Sequence, residues 1–217
     1  MSDIIKDMGA FHLDVLKEIS NIGSGNAATA LSQLLGKRVG MQVSRVMPMP
    51  FHEITEYVGG AENIITSVFL RFEGDITGNM FYIVDQEDAK RLVEDLAGLK
   101  VEDEFCEMSL SVLQEIGNIL SGSYLTALAD FSGLEMKPSV PSLAIDMAGA
   151  LLSYGLVEIG KSSDYAIMID AEIQAEGNEV QQAVVRKGKT GHFFLLPDPE
   201  SFEKIFMALG VHGYGGN

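Results

Sequence analysis

Residues 13–36 read LDVLKEISNIGSGNAATALSQLLG, and residues 110–133 read LSVLQEIGNILSGSYLTALADFSG. Shifted by 97 positions, the two stretches agree at 13 of 24 places, among them Glu18/Glu115, Asn21/Asn118, Gly25/Gly122, Thr29/Thr126 and Gly36/Gly133. Self-similarity at a fixed offset marks an internal duplication, and every other reading of the chain hangs on it. In the first copy Leu13, Leu16, Ile19 and Ile22 recur every three residues, the spacing of a buried helical stripe. Gly36 and Gly133 stand where a glycine stops a helix at its C-terminus.

A weaker echo follows at a larger offset. Thr77-Gly78 and the run MFYIVD at 80–85 match Thr190-Gly191 and FFLLPD at 193–198, each trailed by a helix-like run, 87–96 and 200–209. The change of offset predicts an insertion in the middle strands of the second half. Segments 38–49, 63–73 and 79–84 are rich in β-branched and aromatic residues and read as strands, with Gly74-Asp75 and Thr77-Gly78 turning between two of them. Segments 139–147, 164–173 and 190–196 take the same roles in the second half. The expected fold is therefore α/β of the α+β type, internally duplicated and pseudo-two-fold, with helices packed on one continuous, mostly antiparallel sheet. One domain is expected over 1–217, built of two repeats at about 10–98 and 107–210.

Composition narrows the function classes. With 217 residues, 47% apolar and 21% charged, the chain can bury a substantial core. Only the glycine-rich tail at 213–217 reads as frayed. A net charge of −16 without any Lys/Arg cluster argues against nucleic acid and against anionic membrane surfaces; it is first read as serving solubility, with attraction to a partner's basic patch as the alternative. The N-terminus is acidic and lacks the apolar run of a signal peptide, and no stretch approaches the roughly 20 apolar residues that span a bilayer. A cytoplasmic protein is expected. The single cysteine, Cys106, sits between Glu104 and Glu107, which should not lower its pKa, so it is not expected to be a nucleophile. Met108, Met147 and Met168 lie in apolar runs and read as core, although methionine-rich surfaces also bind adaptably.

The chemistry-bearing pattern is Glu-Ile-x-Asn, present twice. Asp14, Glu18 and Asn21 fall at i, i+4 and i+7, as do Ser111, Glu115 and Asn118, so each trio stacks on one helical face. A duplicated framework must repeat its core; it has less reason to repeat an exposed Glu and Asn. Asparagine is a poor base and no nucleophile, but its amide offers one acceptor and two donors and can hold a water in one orientation. That suits phosphoryl transfer, where positioning and electrostatics do most of the work. Glutamate can grip a cation on a partner. The histidines His12, His52, His192 and His212 are scattered without metal-ligand spacing, and read as ordinary histidines. The string Gly23-x-Gly25-x-x-Ala28 imitates a dinucleotide fingerprint but follows helical periodicity rather than a strand. Gly25, Ala27, Ala28 and Ala30 are better read as small residues that let helices pack closely or kink.

These residues carry a family resemblance. The trios at 14, 18, 21 and at 111, 115, 118 resemble the paired signature of the CheC/CheX/FliY phosphatases, [Asp/Ser]-x-x-x-Glu-x-x-Asn followed by a distant proline. The words at 21–31, 127–131 and 141–147 are similar to the CheC branch in particular, and the likeness runs from about residue 10 to residue 210. The resemblance implies a phosphatase acting on the aspartyl phosphate of a CheY-type response regulator in chemotaxis. It assigns Asn21 and Asn118 to orienting the attacking water and Glu18 and Glu115 to pairing with a receiver lysine. Asp14, Ser111 and Pro141 support the signature, Mg²⁺ is held by the receiver, and no cofactor is bound by this chain. The signature proline is Pro141 in the second copy, whereas the first has Ser44 there, which places Glu115/Asn118 first and Glu18/Asn21 second. The resemblance further implies CheD as a partner, with Asp146 in the contact. The alternative is a non-catalytic receiver-binding or CheD-binding adaptor related to the flagellar switch proteins. CheX carries one active signature and FliM-like chains lack the Glu/Asn pair, so two signatures favour the CheC branch.

Overall fold

The computed structural model describes residue 5 and residues 8–102, 104–159, 164–175 and 189–210; His212 and the tail at 213–217 lie outside the described residues. The two copies of the opening stretch form 26-residue helices, α1 (Ala10–Leu35) and α4 (Glu107–Ser132). Leu16, Ile19, Gly23, Ala27 and Leu31 of α1 are buried at three- and four-residue steps, and Leu113, Ile116, Leu120 and Leu128 of α4 line up likewise. Both helices end on a left-handed glycine, Gly36 at φ 62° and Gly133 at φ 69°. A residue with a Cβ costs about 1 kcal/mol in that conformation.

The remaining elements are β1 (Val39–Pro50), α2 (Phe51–Tyr57), β2 (Ile64–Gly74), β3 (Gly78–Asp85) and α3 (Gln86–Ala97) in the first half. The second half carries β4 (Met136–Pro138), β5 (Ser142–Met147), α5 (Ala148–Ile159), β6 (Tyr165–Ala175), β7 (Lys189–Pro197) and α6 (Pro199–Ala208). Helices α2 and α5 were not expected from the sequence. A helix as short as α2 shows too few turns for periodicity to declare it. The offset between corresponding elements is 97 from α1/α4 through α2/α5, then 101 at β2/β6 and 113 at α3/α6. The extra residues of the second half thus fall in the connections before and after β6, not within its strands as expected.

All strands pair antiparallel in one seven-stranded sheet of order β1-β6-β7-β3-β2-β4, with β5 following β4 along the same side of β2. The order reads the same in both halves about the central β3–β7 pair, where Phe81 faces Phe194. Helices α1, α3, α4 and α6 cover one face, packing on Val68, Leu70, Met80, Ile167, Ile169 and Leu195. The short α2 and α5 cover the other, over Ile65, Ile83, Met168 and Leu196. Burial on both faces makes β3 a continuous buried run rather than an alternating one. Because one two-fold normal to the sheet relates two helices on the same face, α1 and α4 run antiparallel side by side, each with one side turned to solvent.

Candidate active site

The solvent side of this helix pair carries the repeated polar residues. Asp14, Glu18 and Asn21 are exposed on α1, and Ser111, Glu115 and Asn118 are exposed on α4. Ser111 turns its hydroxyl back to the Glu107 carbonyl at 2.9 Å. Among the described residues, Glu18, Asn21, Glu115 and Asn118 have no hydrogen-bond or ion-pair partner, so both carboxylates and both amides are available to a second molecule. Antiparallel packing of the helices holds the two Glu–Asn pairs apart on one face.

The strand after each helix is interrupted at the same place. In β1 the register to β6 shifts between Val43 and Arg45, leaving Ser44 as the extra residue of a bulge. In the second half the interruption is wider: Pro138 still pairs with Phe72 and Ser142 with Phe69, while Ser139, Val140 and Pro141 span two residues of β2. Pro141 corresponds to Ser44 at the 97-residue offset, so the first copy has the irregularity without the proline. Ser139 holds the gap closed through its amide on the Arg71 carbonyl at 2.7 Å and its hydroxyl, which accepts from the Arg71 amide at 3.1 Å. The Gln114 side-chain amide donates to the Pro141 carbonyl at 3.2 Å, tying this loop to the turn of α4 that bears Glu115. Sequence reasoning missed Gln114; its first-copy equivalent, Lys17, gives no hint of the tie.

Two glycines set how the helices sit. A Cβ on Gly117 would meet the Val68 side chain at 2.6 Å, and one on Gly23 would meet the Tyr124 Cα at 3.0 Å. Gly25, expected to permit the close packing, is exposed with nothing within 4 Å of its Cβ direction; Gly23 and the buried Ala27 take that role. The methionine expectation also divides. Met168 is fully buried, but Met108, in the first turn of α4, is 62% exposed, and Met147, at the end of β5, is exposed.

Cys106 departs from expectation as well. Its thiol is held below its ordinary pKa, first by the Ser109 hydroxyl at 3.5 Å and then by the first backbone amides of α4, which it precedes. Sequence neighbours Glu104 and Glu107 do not decide the matter; the helix start does. Asp146 is exposed on β5, which pairs only with β2 among the described strands, and its carboxylate accepts from the Met147 amide at 2.7 Å. Pocket space of about 400 Å³ opens beside this strand, lined by Phe105, Leu110, Leu143 and Ile145.

On the opposite face of the sheet, His192 is not the ordinary histidine that its spacing suggested. Its Nδ1 meets Asp170 Oδ1 at 2.6 Å, while the Tyr57 hydroxyl donates to Asp170 Oδ2 at 2.5 Å. Burial alone would raise the Asp170 pKa; the His192 and Tyr57 hydrogen bonds and the Arg45 charge outweigh it and hold the carboxyl below its usual range. Burial and then the Asp170 bond push Tyr57 up to about 12. Strand alternation carries this network away from α1 and α4. No cluster of three or more His, Cys, Asp or Glu suited to a metal occurs among the described residues, and none of their helices is long and apolar enough to cross a membrane.

Known proteins share this arrangement. The architecture is that of FliY from Thermotoga maritima, with a TM-score of 0.70 at 18% identity over 94% of this chain and 98% of that one. It is also that of the FliM middle domain from H. pylori, with a TM-score of 0.65 at 16% identity over 93% and 99%. The profile of the CheC-like family matches residues 11–43 and 108–145, the two segments that hold the paired helices and the start of the strand after each. The CheY-P phosphatase CheC of Bacillus subtilis (strain 168) is 42% identical over 203 residues, covering 92% of this chain and 94% of the relative. The chain belongs to the CheC-like family, and it is a phosphatase, a hydrolase.

Proposed function

We propose that this protein hydrolyses the aspartyl phosphate of a CheY-type response regulator in chemotaxis, at two sites, Glu115/Asn118 and Glu18/Asn21. The observation that carries the reading is the pair of exposed Glu–Asn couples, without partners among the described residues, at the same phase of two corresponding helices, each helix followed by a strand with a bulge. The Asn amide enters the receiver's active site and holds a water in line with phosphorus. The water oxygen forms the new P–O bond as the bond to the receiver aspartate breaks. The aspartate leaves as a carboxylate, and both protons of the water depart with the inorganic phosphate as H2PO4⁻. Glu, one helical turn away, pairs with a receiver lysine and sets the register of the two proteins. Mg²⁺ belongs to the receiver. Asn needs no shifted pKa for this task, because orientation rather than proton abstraction is what it supplies.

The relative from B. subtilis is named for action on CheY-P, and its likeness over nearly the whole chain supports the substrate class. The bulge at Ser44, formed without a proline, supports counting the first copy as a site. Asp146, exposed on a strand that pairs only with β2 among the described strands, is proposed as part of a contact with CheD; Asp146→Lys should abolish co-purification with CheD while leaving phosphatase activity intact, and unchanged binding removes Asp146 from that contact.

The deciding experiment follows decay of a phosphorylated CheY-type receiver with Mg²⁺. Glu115→Gln/Asn118→Ala and Glu18→Gln/Asn21→Ala should each leave part of the acceleration, and the four-residue combination should return decay to the receiver's own rate. Binding of the receiver without acceleration by the unaltered protein would instead make the chain an adaptor.

A further inference from the structure

Each proposed site continues N-terminally into a large exposed apolar side chain. Phe11 is 65% exposed and Met108 is 62% exposed, and the two correspond at the 97-residue offset. On α1 the positions 11, 14, 18 and 21 step by three or four residues, so Phe11, Asp14, Glu18 and Asn21 share one face. Met108, Ser111, Glu115 and Asn118 repeat the stripe on α4. At 1.5 Å per residue each stripe is about 15 Å long. An exposed phenylalanine in the first turn of a helix is unremarkable alone. Its recurrence as another large apolar residue, at the same phase and the same distance from a duplicated Glu–Asn pair, is not expected of surface positions under no constraint.

We infer that Phe11 and Met108 are apolar anchors for the receiver, each seating the phosphorylated receiver so that the Glu and Asn two and three turns further along reach its active site. The inference rests on the proposed receiver phosphatase reading. The occupant follows from continuity: a body large enough to be touched by Asn21 and Glu18 together lies over the remainder of the same stripe. Its chemistry follows from what the stripe presents, an apolar end and then carboxylates, which fit a protein surface with an apolar patch beside a lysine. The two seats differ. The first offers a rigid aromatic ring followed by two carboxylates, Asp14 and Glu18; the second offers a flexible thioether followed by one, Glu115. Phe11 and Met108 act on positioning, without contact to the reacting atoms.

The test isolates one seat at a time. In the Glu115→Gln/Asn118→Ala background, Phe11→Ala should raise KM for the phosphorylated receiver about tenfold, as loss of an interface anchor does, with kcat within twofold. Phe11→Met, which installs the side chain of the other seat, should restore KM to within about threefold. Met108→Ala in the Glu18→Gln/Asn21→Ala background should act in the same way. Since both side chains are exposed, thermal unfolding of the variants should match that of their parents, which separates a docking loss from a folding loss. A KM unchanged by Phe11→Ala and by Met108→Ala in active parents overturns the anchors and leaves the phosphatase reading standing. Parents without any activity on the receiver overturn both.

Discussion

The two long helices carry the same Glu–Asn pair, but the protein braces them unequally. On α4, Gln114 is bonded to the Pro141 carbonyl, Gly117 lets the helix lie against Val68, and Ser111 is folded back on Glu107. On α1 the corresponding residues are Lys17, Ser20 and Asp14. Ser20 is buried and spends its hydroxyl on the Leu16 carbonyl at 2.6 Å, while Lys17 and Asp14 point to solvent without a partner among the described residues. The same pair of groups is thus mounted once on a tied support and once on a looser one that carries an added Asp and Lys. Duplication preserved the exposed Glu and Asn and relaxed the residues around them.

The inequality extends to the far face of the sheet. Asp170 on β6 is hydrogen-bonded to Tyr57 and His192, whereas the corresponding place on β2, 101 residues earlier, holds Phe69, whose ring lies 4.9 Å from that of Phe81. One half closes with a polar network and the other with aromatic packing. Asp170→Asn should test that contrast with the largest effect, lowering stability by about 3 kcal/mol in urea unfolding at neutral pH, since it disrupts a buried carboxylate hydrogen-bonded to both His192 and Tyr57. Its pH dependence has a definite sign. A carboxylate whose pKa is lowered on folding stabilises the fold above its ordinary value, and the contribution is lost as pH falls through the lowered one. The stability gap between the original protein and Asp170→Asn should therefore narrow below about pH 4; a gap independent of pH would make the contrast one of packing alone.

Gly117→Ala should come next. Its Cβ would collide with the Val68 side chain, and overpacking of this kind costs about 2 kcal/mol. Thermal unfolding of Gly117→Ala beside Ser20→Ala, which adds no volume on α1, would show whether only α4 is seated so closely. Gln114→Ala should then lower kcat at the second site about fivefold, a change of about 1 kcal/mol for a lost hydrogen bond. The measurement is receiver dephosphorylation in the Glu18→Gln/Asn21→Ala background, and the same substitution should leave the first site unaffected. A drop at both sites would mean that the brace supports the helix pair rather than one site. The smallest effect is expected at Gly122, partly exposed in mid-helix with open space at its Cβ direction, where Gly122→Ala should raise stability by about 0.5–1 kcal/mol through helix propensity. Gly25→Ala should do the same on α1, and a loss in either would reveal a contact that the free chain does not show.

The two long helices, their glycine stops, most of the strand segments and the outward phase of Glu18, Asn21, Glu115 and Asn118 were legible in the sequence, because each depends on local periodicity or on the conformation of one residue; the short β4 and the helices α2 and α5 were not. The antiparallel character of the sheet followed from the helix–strand pattern of each half. Strand order did not, since pairing β6 with both β1 and β7 is settled by which faces bury each other at long range. The same limit explains the individual errors. Met108 and Met168 stand in similar apolar runs, yet one caps an exposed helix turn and the other fills the core. Gly23 and Gly25 look alike in the chain, and only the neighbouring α4 makes the first indispensable. Cys106 takes its character from the helix that it precedes rather than from the glutamates beside it. His192 acquires Asp170 and Tyr57 from residues 22 and 135 positions away. What the sequence by itself determined is therefore the duplicated chemistry and the elements that carry it, where the deciding interactions lie within one or two helical turns. What only the tertiary structure decided is the support behind that chemistry, because burial, close approach and hydrogen-bond pairing between distant residues exist only once the sheet has assembled.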